Sequence, residues 1–100
     1  MIVMRIIARK TLKEYGQKHR DAQEQLEAWY ADAKRANWRK PTDITNVCTN
    51  ARAVPNDRIV FNIKGNKYRL VVWVQYKYGR VYIRWFGTHS EYDKIDVTII

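Results

Sequence analysis

The stretch "RIVFNIKGNKYRLVVWVQYKYGRVYIRWFG", residues 58–87, decides the fold. Apolar and polar side chains alternate through it, the period of two that sends successive side chains to opposite faces of a strand. Two turns interrupt the alternation: Gly65-Asn66, suited to a two-residue hairpin, and Tyr78-Gly79. Three antiparallel strands in a meander are the economical reading. One parity collects Ile59, Phe61 and Ile63, then Tyr68, Leu70, Val72 and Val74, then Val81, Ile83 and Trp85, and is assigned to the core. The other carries Asn62 and Lys64, then Lys67, Arg69, Trp73 and Gln75, then Tyr82, Arg84 and Phe86, and is assigned to an open face.

Upstream, "IVMRIIA" (2–8) is short and β-branched and reads as a first strand. Thr11 and Glu14 have the T-x-x-E spacing of a capping box, which predicts a helix over about residues 11–19. Asp21 and Glu24 repeat the signal, and Ala22, Leu26, Trp29, Tyr30, Ala33 and Asn37 follow a 3.6-residue period, which makes this the longest helix. Lys40-Pro41 closes it, and "TDITNVCTNA" forms one short helical segment before the loop at Val54-Pro55-Asn56-Asp57. Downstream, Thr88 and Glu91 repeat T-x-x-E, so Thr88 is expected to cap a short final helix with His89 in its first turn. The architecture is therefore α+β: an N-terminal strand plus a C-terminal three-stranded meander, packed on one face by two N-terminal helices, with a short C-terminal helix. One hundred residues suit one domain, 1–100, with one modest core.

Nineteen Lys and Arg against ten Asp and Glu give a net charge of +9, which points to a polyanionic partner. No apolar run approaches the roughly 18–20 residues that span a bilayer. The start is too short, and too basic on its far side, for a secretory signal, so a cytoplasmic location is expected. The single Cys48 excludes an intramolecular disulfide, and one Cys with two His is a poor stock for a metal site, so neither metal nor cofactor is expected. Residues 58–87 hold seven basic residues and no acid, whereas the four acids of residues 21–41 are balanced by four bases. The charge excess thus lies partly on the open face, interleaved with aromatics.

On that face Arg69 and Arg84 present two guanidinium forks suited to a phosphate, and Trp73, Tyr82 and Phe86 offer surfaces on which unpaired bases stack. Single-stranded RNA or DNA fits better than a duplex. His89 is a candidate general acid, since an imidazole ordinarily titrates near pH 6.5. Asp93 is one turn further on, where it would orient the ring, and Tyr92 would donate a hydrogen bond to the same site. His19 reads as a helix C-terminal residue favourable to the dipole. The general base is open among Lys64, the phosphate itself and a ribosomal group. A solvated basic face, or a non-catalytic module that holds a strand of nucleic acid on this face, is the alternative to an enzyme.

The segments "MRIIARKTLKEY", "LEAWYADAKRANWRKPTDI", "VFNIKGNKYRLVV" and "THSEYDKID" together resemble the HigB family of bacterial toxins, within the RelE-like superfamily. The resemblance covers nearly the whole chain, and "FNIKGNKYRL" followed by "THSEYD" carries it most specifically. It implies a small RelE-like α+β fold and a type II toxin–antitoxin toxin that cleaves mRNA without a metal. The partners it implies are mRNA, the ribosome at the A site of the 30S subunit, and an inhibitory helix-turn-helix antitoxin resembling HigA. Carried over by position, the polar motif is Asn62, Asn66, Arg69, Arg84, His89 and Tyr92. Arg69, Arg84, His89 and Tyr92 take the catalytic roles, and Asn62, Lys64, Asn66, Lys67, Trp73 and Tyr82 are expected to bind RNA.

Overall fold

The computed structural model describes residues 3–100. The expected strand over 2–8 is realised as β1, Arg5–Ile7; Met1 and Ile2 lie outside the described residues. Only Ala8 separates β1 from helix α1, Arg9–Lys18. This tight connection sets the helix start, so Thr11 falls inside the helix and caps nothing. Helix α2, Arg20–Arg35, follows directly, with His19 serving both as the C-cap of α1 and the N-cap of α2. It ends at Arg35, five residues before the expected stop at Lys40; Pro41 instead opens a short helix α3, Pro41–Thr45, at its first position, where a missing N–H costs nothing.

The chain then forms β2, Ala51–Val54, a strand the periodicity does not announce, followed by β3, Arg58–Ile63, β4, Tyr68–Gln75, and β5, Arg80–Thr88. Helix α4, His89–Tyr92, is a single turn. The sheet order is β1-β5-β4-β3-β2, with β1 parallel to β5 and every other pair antiparallel. The expected meander is β3-β4-β5. Asn56 and Asp57 turn β2 into β3 with φ of 66° and 59°, a left-handed conformation that Asn and Asp tolerate better than other side chains. The β3–β4 turn spans four residues, closed by Lys67 N–H to the Lys64 carbonyl, with Lys64 itself at φ 57°. Lys64 is therefore a turn residue rather than a strand residue of either face.

Helices α1 and α2 bury Leu12, Ala22, Leu26, Trp29 and Ala33 against Ile59, Phe61, Ile63, Leu70, Val72, Val74 and Val81. Trp29 meets the edge of Phe61, and Trp38, which follows α2, stacks on the same ring. Each such side chain removed from water contributes about 1.5–3 kcal/mol, so this layer supplies most of the stabilisation.

One register shift rewrites the face assignment of β5. Val71 pairs with Trp85 but Val72 pairs with Ile83, so Arg84 is the extra residue of a β-bulge. Past the bulge the parity inverts. Phe86 enters the core, 8% exposed, and stacks on Tyr68 and Tyr15 at 5.1 and 5.4 Å. Trp85 turns to the other face. The expectation that Trp85 is core and Phe86 open is thus corrected, and Phe86 cannot stack on a base.

The face away from α1 and α2 is not fully open either. Val60 and Val71, paired across β3 and β4, are buried on it, outside the main core cluster. Helix α4 packs there against β4 and β5, and the chain after it returns beside β3, where Asn56 and Arg58 hold the main-chain oxygens of Thr98 and Ile100.

Candidate nucleic-acid interface

The sequence-predicted residues fall into two groups on this second face. At one end the rows Asn62–Arg69–Gly87 and Val60–Val71–Trp85 lie beneath α4; at the other, Arg58–Trp73–Tyr82 forms a row across β3, β4 and β5.

Helix α4 is placed by its own cap and by the hairpin. The Thr88 hydroxyl accepts from Glu91 N–H at 3.2 Å while the Glu91 carboxylate accepts from Thr88 N–H at 2.8 Å, the reciprocal arrangement expected from T-x-x-E. The Thr88 N–H holds the Glu91 carboxyl below its ordinary range. Gly87 is required just before the cap: a Cβ there would lie 2.6 Å from the Trp85 ring and 2.8 Å from the Glu91 carboxylate. His89 N–H donates to the Lys67 carbonyl at 3.0 Å, which ties the start of α4 to the β3–β4 hairpin and sets exposed His89 beside it. Because α4 has one turn, this tie, rather than a helix dipole, accounts for the position of His89. Asp93 does not orient the imidazole through a side-chain bond among the described residues; its N–H closes α4 on the His89 carbonyl at 3.1 Å.

Arg69 is clamped by its hairpin. Its Nη1 donates to the carbonyls of Asn66 and Tyr68 at 3.0 and 3.2 Å, and Nη2 to Asn66 Oδ1 at 2.8 Å. All three acceptors are neutral, so the guanidinium is oriented while its charge is left uncompensated. The Asn66 side chain therefore has a use beyond the turn. The Tyr92 ring lies 6.0 Å from the Arg69 guanidinium carbon and 6.1 Å from the Trp85 ring, and Tyr92 Oη accepts from Arg52 Nη2 at 3.0 Å. Arg52, on β2, is a cation at this end that sequence reasoning missed. No local pattern marked it, because the four residues of β2 are too few to show alternation and run directly into Pro55. Arg84, at the bulge, is exposed and opposite Val71 and Val72, two to three residues along β4 from Arg69. The two arginines are thus not direct cross-strand neighbours.

Three other candidates have partners away from α4. Lys67 forms an ion pair with Asp21 of α2, on the helix side of the sheet, and Tyr68 Oη donates to the same carboxylate at 2.7 Å. These two hydrogen bonds, from Lys67 first, pull the Asp21 carboxyl below its ordinary range. Trp73 and Tyr82 stack on each other with centroids 5.0 Å apart, both half-buried, and the Arg58 guanidinium lies 5.4 Å from the Trp73 ring. Asn62 is half-buried opposite Arg69. His19 is not a bare helix end: its ring packs at 5.1 and 5.5 Å on Tyr68 and Phe86 in the core layer. Among the described residues no three His, Cys, Asp or Glu side chains are grouped as a cation site, and no helix is long and apolar enough to cross a membrane.

A small mixed sheet with a helical layer on one side and an oriented, uncompensated arginine beside a capped terminal turn on the other defines the class. Residues 22–95 match the HigB toxin family, described as the RelE-like toxic component of a toxin–antitoxin system. The chain belongs to that family. It is similar to the mRNA interferase toxin HigB of Escherichia coli K12, 29% identical over 92 residues that cover 90% of this chain and 88% of the relative. The mRNA interferases HigB of Escherichia coli O157:H7 and Shigella flexneri match to the same extent.

Proposed function

We propose that this toxin is a metal-independent endoribonuclease that cleaves mRNA on translating ribosomes, and that its active site is the end of the sheet face where α4 meets the β3–β4 hairpin. The observation that carries the reading is Arg69, whose guanidinium is fixed by neutral oxygens and keeps its charge for a phosphate. Donors held on rigid strands stabilise charge developing on phosphorus with little reorganisation. The 2′-oxygen attacks phosphorus, the bond to the 5′-oxygen breaks, and a 2′,3′-cyclic phosphate remains on the upstream fragment. His89 gives its proton to the departing 5′-oxygen. The 2′-hydroxyl proton passes to Lys64, to the phosphate or to a ribosomal group.

Arg69 and Arg84 bear the phosphate charge, and Tyr92 donates to it. Asn62, Lys64 and Asn66 line the approach, and Trp73 and Tyr82 extend it toward the following bases. Lys67, ion-paired with Asp21, is left out of this surface. The relatives' name, mRNA interferase, supports the substrate class. The toxic role supports a cognate antitoxin, here taken as a helix-turn-helix protein resembling HigA, and a cytoplasmic setting at the A site of the 30S subunit.

The test is induction of the chain in bacteria with mapping of RNA 5′ ends, with and without the antitoxin. New ends within translated messages, abolished by the antitoxin and by Arg69→Ala, are expected. Cutting of purified ribosome-bound message should survive EDTA. Growth arrest with RNA bound but no new ends would instead favour the non-catalytic binding module.

A further inference from the structure

We propose that Arg52 is a positioning residue of this site, aiming the Tyr92 hydroxyl proton at a non-bridging oxygen of an RNA phosphate; the inference rests on reading this face as an RNA-cleaving site. Arg52 begins the row Arg52–Val60–Val71–Trp85, which crosses four strands on the face that carries α4. Although exposed, its guanidinium reaches across 40 residues of sequence to the Tyr92 oxygen at 3.0 Å.

A phenol has one proton and two lone pairs. With one lone pair occupied by Arg52, repulsion from the guanidinium turns the O–H away from it. Among the described residues no protein group accepts that proton. The hydroxyl is therefore left as a donor without a protein acceptor among the described residues, between Arg52 and Arg69. Arg69 lies over the same ring at 6.0 Å, and the ion pairs among the described residues, Arg35 with Asp32 and Lys67 with Asp21, involve neither arginine. Two uncompensated cations around one phenol repel each other, and an anion placed between them relieves that repulsion. A phosphodiester supplies the charge and the acceptor together. The bond also has little other purpose, since a surface contact between two long side chains contributes little to folding.

The experiment is a double-mutant cycle on Arg52→Ala and Tyr92→Phe, read in two ways. Single-turnover cleavage of ribosome-bound message is one. The other is affinity for the same sequence as a 2′-O-methyl RNA, which cannot be cut. Thermal melts by circular dichroism control for folding. Each single variant should slow cleavage by about ten- to a hundredfold, the scale of one hydrogen bond to a charged group. The double variant should be no slower than the worse single one. Arg52→Lys should recover part of the loss where Tyr92 is intact and none in the Tyr92→Phe background. Losses that multiply in both assays would overturn the proposal, because Arg52 would then act independently of the hydroxyl. Wild-type behaviour of Arg52→Ala would overturn it as well. If the wild type cuts nothing while the affinities remain coupled, the cleavage reading fails and the placement of Arg52 stands.

Discussion

Two arginines lie near aromatic rings at opposite ends of one sheet face, Arg69 by Tyr92 and Arg58 by Trp73, at 6.0 and 5.4 Å. By charge, neighbour and strand position they look alike. Their hydrogen bonds separate them. Arg58 closes its Nε and Nη2 on the Ile100 main-chain oxygen at 3.1 and 2.6 Å and its Nη1 on the Asn56 carbonyl at 2.8 Å. It stitches the end of the described chain to β3. Arg69 bonds within three residues of itself and leaves Nε unbonded among the described groups. A basic, aromatic surface is therefore not uniformly a binding surface. What counts is where a cation's bonds reach: those of Arg58 join β3 to a segment 42 residues away, whereas those of Arg69 only orient it within its own hairpin.

The comparison breaks first at His89. In His89→Gln the side chain keeps its size and hydrogen-bonding capacity but loses the titratable proton, so single-turnover cleavage should fall by about 10²-fold or more while RNA affinity stays near wild type. Equal rates would remove His89 from the chemistry and shift the site away from α4.

The arginines come next. Arg58→Ala should lower unfolding free energy by about 1.5–3 kcal/mol, the range for hydrogen bonds to a charged group, with little change in the salt dependence of RNA binding. Arg69→Ala should do the reverse, flattening the plot of log affinity against log salt by about one unit of slope. Salt titrations and urea melts of both proteins decide it, and an exchange of the two phenotypes would invert the reading of the face.

A smaller effect is expected at Thr88→Ala. Loss of an N-cap costs about 1 kcal/mol in urea denaturation, and it leaves the Glu91 N–H without its acceptor, while the Glu91 carboxylate keeps the backbone N–H of residue 88. Cleavage should drop further than stability alone explains, because α4 carries His89 and Tyr92.

The weakest is Asp21→Asn, on the helix side. Its carboxyl is depressed in the folded protein by Lys67 and Tyr68, so its contribution is fully present above the unfolded value of about 3.9 and is lost as pH falls through the lower folded value. Wild type should melt slightly higher than Asp21→Asn at pH 7, and the two curves should converge in acid. RNA binding should not distinguish them. A gain of affinity, from a Lys67 released toward RNA, would return Lys67 to the interface.

How far the sequence could be read shows in the T-x-x-E spacings. Thr88 and Glu91 form the predicted capping box, but Thr11 and Glu14 do not, because the one-residue connection from β1 starts α1 at Arg9. The same local signal succeeds where the chain is free to begin a helix there and fails where the preceding element has already fixed the start, β1 at Thr11 and α1 at Asp21, which lies inside α2 and caps nothing. The meander was legible from alternation, and β2 was not, since "ARAV" is short and runs into Pro55. Asn62, Asn66, Arg69, His89 and Tyr92 were named from sequence and lie at one end of the sheet face. The tie from Arg52 to Tyr92 and the closing of Arg58 on Ile100 join residues 40 and 42 positions apart, which no local pattern encodes.

The bulge at Arg84 sets the phase of everything after it. Before it, β5 delivers Val81 and Ile83 to the helices; after it, the strand is half a period out of step and delivers Phe86. Gly87, Thr88 and α4 ride on the shifted portion like a cog on a shaft advanced by one tooth. Drawing the bulge out flat, with Arg84 paired in the ladder, would send Phe86 outward and Trp85 inward, and would carry His89 and Tyr92 round to the side of the sheet that α1 and α2 occupy; deleting Arg84 instead would leave Val71 opposite Trp85 and Leu70 opposite Phe86. Small insertions elsewhere in the chain lengthen a loop, whereas flattening this bulge would uncouple Arg69 from the turn that completes its site.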